Sequence, residues 1–149
     1  MYSISMATIT LTRDIGEAER TLRALLERQL AGAGLSFPEW AVLSFLDGAP
    51  LDRGELVRRQ LRGSVVRDLG EAESTVDGLL ASGLVAPRSG DALGLTDAGE
   101  ARYQPVRQQV GRITDGLYRG LPAADVEATH RTLAEVARRA HVELAAAGD

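Results

Sequence analysis

A chain of 149 residues is long enough for one domain with a proper core. Its hydrophobic fraction of 44%, charged fraction of 26% and net charge of −4 are those of an ordinary globular protein, not of one that is basic all over. The absence of cysteine excludes disulfides, thiolate metal sites and thiol redox sensing.

The opening "MYSISMATITLTRD" has no basic segment ahead of an apolar run, and no stretch is apolar for the length of a membrane span. The expectation is a soluble, cytoplasmic protein with no membrane partner. Residues 1–13 read as a loose arm, with Met6 as an alternative start. From Ile15 the pattern becomes helical. Leu22, Leu25, Leu26 and Leu30 recur at helical spacing, and Gly32 and Gly34 end the run.

"LSFPEWAVLSFL" predicts a second helix. Ser36 is a suitable N-cap, Pro38 fits the first turn and Glu39 stands near the capping-box position. Asp47 to Pro50 read as a turn. "DRGELVRRQLRG" predicts a third helix, capped by Asp52 with Glu55 in its first turn and ended by Gly63. Ser64 then caps a fourth helix, on which Val65, Leu69, Ala72, Val76 and Leu79 form one stripe.

"GLVAPRSGDALGLT" holds two short apolar pieces around Pro-Arg-Ser-Gly-Asp and reads as a small hairpin. Thr96 or Asp97 caps a long helix over roughly 97–119. "GLPAAD" interrupts the pattern, and a last helix covers about 123–146. The expected fold is mainly α with a small β-hairpin wing. It is a winged helix-turn-helix lobe over 36–96, with dimerisation helices at 15–32 and 97–146. The long helices carry apolar stripes that so small a lobe cannot cover, and a second copy in a two-fold dimer would bury them.

In this order of elements the chain resembles the MarR family of bacterial transcription regulators. "LSFPEWAVLSFL" resembles the family's second helix. "LLASGLVAPRSGDALGLTDAGEA" resembles the end of the recognition helix, the wing and the "LT..G" signature of the fifth helix. "GLPAADVEATHRTLAEV" resembles the start of the final helix. The resemblance implies a homodimer formed by the first, fifth and sixth helices, and two lobes reading a pseudo-palindromic operator in double-stranded DNA. It also implies repression of nearby genes, relieved when a small aromatic or lipophilic effector binds between the lobes and the dimer core.

Two departures bear on DNA binding. The segment from Glu55 to Gly83 is longer than the family's usual spacing. Either 52–61 is the third helix and the recognition helix starts at Ser64, or "VVRDLGEAESTV" is itself the helix-turn-helix with Gly70 as the turn and 52–62 surplus. The first reading fits better, because the second puts Glu71 where the motif wants an apolar residue; both stay open at this level. The wing is also short. Arg88 precedes it, and the Arg that follows Asp in many relatives is missing after Asp91.

Arg53, Arg58, Arg59, Arg62 and Arg67 form a basic block directly before the acids Asp68, Glu71, Glu73 and Asp77. The basic block suits phosphate contact, while the acidic one opposes it. The residues expected to touch DNA are Arg62, Ser64, Arg67, Glu71, Ser74 and Thr75, with Arg88 in the minor groove. Arginine makes bidentate contacts with guanine or phosphate, and Glu71 can accept from a cytosine amino group. Trp40, the single tryptophan, is the candidate for lining an effector pocket.

His130 and His141 share one side of the last helix but lack the cysteine or carboxylate company of a metal site, so no metal and no cofactor are expected. Motifs of nucleophilic hydrolases, P-loops and dinucleotide sites are missing, which argues against an enzyme. The rival reading is a degenerate dimer that senses small molecules or binds proteins without reading DNA. The acid-rich helix and short wing favour it.

Overall fold

The computed structural model describes residues 6–146, in the order α1 (Met6–Ala33), α2 (Phe37–Phe45), β1 (Leu51–Asp52), α3 (Arg53–Arg62), α4 (Leu69–Ala81), β2 (Val85–Pro87), β3 (Ala92–Leu95), α5 (Asp97–Tyr118) and α6 (Ala123–Ala146). Most elements fall where the sequence places them, with three differences. The first helix begins at Met6, so residues 6–13 are helical and not a loose arm; residues 1–5 lie outside the described residues. The wing gains a third strand, because Leu51–Asp52 pairs with Ala92–Leu93 and gives the antiparallel order β1-β3-β2. Two residues are too few to show strand alternation. The third difference is the start of the fourth helix.

The third helix is α3, which buries Leu56, Val57 and Gln60, so residues 52–62 are not surplus. Gly70 lies inside α4 and is not a turn. The fourth helix starts five residues after Ser64, at Leu69 (69 − 64). Ser64 instead closes α3. Its φ is +54°, its N–H donates to Leu61 O at 3.2 Å and the next N–H, from Val65, donates to Gln60 O at 2.9 Å. This is the reciprocal bonding that satisfies the last carbonyls of a helix. Gly34 and Gly83 hold the same position after α1 and α4, so at α3 a serine occupies a left-handed site that favours glycine.

Asp68 caps α4 in place of Ser64, its Oδ1 accepting from Glu71 N–H at 2.8 Å. Tertiary burial explains the choice. Val66 packs with Val57 and Ala72 in a small cluster of its own, supported by Val65. Winding 64–68 into the helix would disturb that cluster, and β-branched residues already favour helix weakly. The extra length between α3 and α4 is thus a valine-anchored loop.

By internal contacts the chain divides into one unit ending at Gly111 and another beginning at Arg112. The core of the first joins Leu30 of α1, Val42 and Leu43 of α2, Leu56 of α3, Val76 and Leu79 of α4, and Tyr103 and Val106 of α5. A side chain as buried as Leu43 or Leu56, both 0% exposed, contributes roughly 2 kcal/mol by leaving water. Gln60 ties two elements together by donating to Leu56 O and Ala72 O, at 3.3 and 3.2 Å.

The second unit holds the end of α5 and α6. Gly120 turns at φ +83°, and Pro122 O accepts from the N–H groups of Asp125 and Val126 as α6 starts. Among the described residues of α6 none is buried, and Val126, Leu133, Val136, Val142 and Leu144 are exposed.

Candidate nucleic-acid interface

The candidate surface is built by α3, the loop of residues 63–68, α4 and the wing. On α4, Ala72, Val76 and Leu79 point inward at helical spacing. Gly70, Ser74, Gly78 and Ala81 lie opposite and are exposed. No side chain on that outer line is larger than serine, so a partner can approach the helix backbone closely.

The acids on either edge of the line are engaged within the chain. On one edge Arg53 reaches across from the start of α3. Its Nε donates to Glu73 Oε2 at 2.6 Å, and its Nη2 donates to Asp77 Oδ1 at 2.7 Å and to Glu73 O at 3.3 Å. Asp77 first and Glu73 second raise the Arg53 pKa above its ordinary value, by hydrogen bonds to the charged guanidinium. On the other edge Glu71 Oε2 accepts from the Arg67 backbone N–H at 3.0 Å and from its Nε at 3.4 Å. Asp68 serves as the helix cap. All four acids of the opposing block therefore have partners.

The arginines of the basic block differ in availability. Arg59 and Arg58 both pair with Glu55, at 2.9 and 3.0 Å, and hold its pKa below the usual carboxylate value. The Arg67 side chain is 92% exposed despite its contact with Glu71. Arg62 is exposed and has no ion-pair partner among the described residues. Ser64 and Ser74 are exposed, while Thr75 is half-buried and donates its hydroxyl to Glu71 O at 2.8 Å. At the start of α4 the Glu71 N–H is already taken by Asp68, so it is not free for a phosphate.

The wing departs most from expectation. Arg88 lies at the base of its turn, and Arg88 N–H donates to Ala92 O at 2.7 Å. Its guanidinium folds back along the strands, with Nη2 donating to Leu95 O. Gly94 makes room for this, since a Cβ there would lie 2.7 Å from Arg88 Nε. In this conformation Arg88 does not extend from the wing tip.

Trp40 packs half-buried against the main core, with its indole N–H buried and without a hydrogen-bond partner among the described residues. It is not among the residues lining a cleft of about 630 Å³ between α1 and α5, where Gln29, Gly32, Ala98, Arg102 and Pro105 form the walls. Pro105, inside α5, has no N–H to give the Ala101 carbonyl, and both residues border the cleft. Among the described residues no group of three or more His, Asp or Glu side chains could hold a metal ion. No helix among them is long and apolar enough to cross a membrane.

Sequence reasoning missed Arg53. It stands 20 residues from Glu73 and 24 from Asp77, and only the packing of α3 on α4 brings them together. Its sequence signal, one more arginine in a basic block, pointed outward to phosphate.

A helix pair with an exposed second helix, followed by a three-stranded wing, defines a winged helix-turn-helix protein. Neither a protein-family model nor a curated protein matches the sequence. Solved structures do match the fold. A MarR family protein from Bacillus stearothermophilus superposes with a TM-score of 0.69 at 18% identity, over 95% of this chain and 99% of that one. A MarR family transcriptional regulator from Streptomyces coelicolor gives 0.68 at 21% identity, over 89% and 96%. One from Silicibacter pomeroyi gives 0.62 at 24% identity, over 88% and 87%. The chain has the winged-helix fold of the MarR family regulators.

Proposed function

We propose that the chain is a homodimeric, cytoplasmic transcription regulator that binds a pseudo-palindromic operator in double-stranded DNA and represses nearby genes until an effector releases it. One observation carries the reading: the acids of α4 are satisfied inside the chain while Arg62 and Arg67 remain exposed beside the helix start. The acid-rich helix that favoured a degenerate, non-binding dimer is thereby accounted for. In this reading Arg62, Ser64 and Arg67 meet phosphates, Ser74 and Thr75 line the groove, and Glu71 accepts from a base. Arg88 contacts the minor groove only after swinging off Leu95 O. The role is binding, and no residue is assigned to catalysis.

The exposed apolar residues of α6 support dimerisation with a second copy, shared with α1 and α5. The α1/α5 cleft, with small apolar walls and Arg102, suits a small aromatic or lipophilic effector. An effector that prefers the lobe spacing unable to span two half-sites would shift the dimer off DNA by that difference in affinity.

The test is selection of bound fragments from the source genome with purified protein, followed by an anisotropy salt titration. The expected result is an inverted repeat bound with a dissociation constant of roughly 10⁻⁸ M or tighter and a steep log–log loss with salt. A folded dimer that enriches no fragment at low salt, with or without candidate effectors, would sink the reading.

A further inference from the structure

We propose that Arg53 is a positioning residue for DNA binding, holding Glu73 and Asp77 so that one flank of α4 meets DNA without two free carboxylates. The inference rests on the DNA-binding reading and adds a residue that the reading alone does not use. Arg53 begins α3, whereas Glu73 and Asp77 lie one turn apart on α4 beside the exposed line of Ser74 and Gly78. The guanidinium spans both, with Nη2 2.7 Å from Asp77 Oδ1 and Nε 2.6 Å from Glu73 Oε2.

The side chains are only partly covered: Arg53 is 37% exposed, Glu73 41% and Asp77 67%. Exposed pairs of this kind add little to folding. Their effect on an incoming polyanion is larger in consequence. Two carboxylates at the groove-facing edge would repel the phosphates that Arg62 and Arg67 attract. A lysine offers one point charge and cannot span two carboxylates in a fork, whereas the planar guanidinium can.

Masking differs from a simple count of charge, and a mutant cycle separates them. The full-length protein is titrated against the duplex enriched from the source genome. The variants are Arg53→Ala, the pair Glu73→Gln with Asp77→Asn, and all three together. Masking predicts that Arg53→Ala weakens binding roughly tenfold. It predicts that the acid pair changes affinity little in the wild-type background and restores about tenfold when Arg53 is already gone. Arg53→Lys falls between wild type and Arg53→Ala. Urea unfolding of each variant confirms that the lobe is folded.

Equal gains in both backgrounds would overturn the inference in favour of bulk charge. So would loss of sequence preference in the acid pair, which would make Glu73 or Asp77 a base reader. A wild-type protein that binds no duplex fails the DNA-binding reading itself, and the inference with it; a wild-type protein that binds without the coupling fails the inference alone.

Discussion

Gly99 lies so close to the backbone of Leu84 that a Cβ built on it would come within 2.1 Å of the Leu84 carbonyl oxygen. The contact seats the first turn of α5 on the end of the α4–wing connection. Thr96 completes it from the other side. Its Oγ1 donates to Gly83 O at 2.6 Å and accepts from Gly99 N–H at 3.0 Å, and Thr96 N–H donates to Leu84 O at 3.1 Å. The "LT..G" signature is thus a cap and a close approach, three residues apart.

Gly99→Ala is expected to destabilise the protein by about 2 kcal/mol or more, because the obstacle is backbone and the helix itself must move. Urea unfolding measures this. A change within experimental error would mean that α5 shifts freely on the lobe.

Ser64→Gly is expected to stabilise by roughly 1 kcal/mol, since φ +54° costs a residue with a Cβ and not a glycine. If Ser64 also touches phosphate, the same variant binds DNA more weakly while melting at a higher temperature. Stability and affinity moving together would remove Ser64 from the interface.

Arg62→Ala and Arg67→Ala are each expected to weaken binding similarly across sequences and to lower the salt slope by about one. Anisotropy titrations at several salt concentrations give the slope. A loss confined to particular operator positions would show that the arginine reads a base.

Glu135 on α6 is held at a pKa of about 2, below its ordinary 4.5, by hydrogen bonds from Arg138 and then Arg139. A carboxylate with a depressed folded pKa stabilises above its unfolded pKa and loses that contribution as pH falls through the folded one. Wild type should therefore be more helical than Glu135→Gln above about pH 4.5, with the difference fading toward pH 2. Circular dichroism across that range decides it. Equal acid profiles would show that these exposed contacts do not persist in water.

Tyr103 behaves oppositely. Burial, followed by the nearby Asp47 carboxylate, raises its pKa from 10.0 to about 12. Its phenol donates to Asp47 at 3.3 Å. Stability from the neutral phenol is complete below pH 10 and is lost as pH rises through about 12. The tyrosinate absorbance that Tyr103→Phe removes should appear only in that upper range. Ionisation near pH 10 in the folded protein would place the ring in solvent.

Local chemistry determined much of this protein from sequence alone. Ser36 with Glu39, Asp52 with Glu55, and the glycine after α1 act within a few residues of themselves. Their helix ends and the α-α-α-α-wing-α-α order could therefore be read directly. Tertiary structure decided what depends on distant neighbours. Val66 is buried against Val57 and Ala72, and that burial moved the start of α4 from Ser64 to Asp68. A two-residue strand became visible only through its partner β3. The acidic block looked hostile to DNA as a string of charges, because a string does not show that Arg53 lies within hydrogen-bonding distance of Glu73 and Asp77, 20 and 24 residues further on. Coulomb interactions depend on separation in space, and the fold supplies that separation.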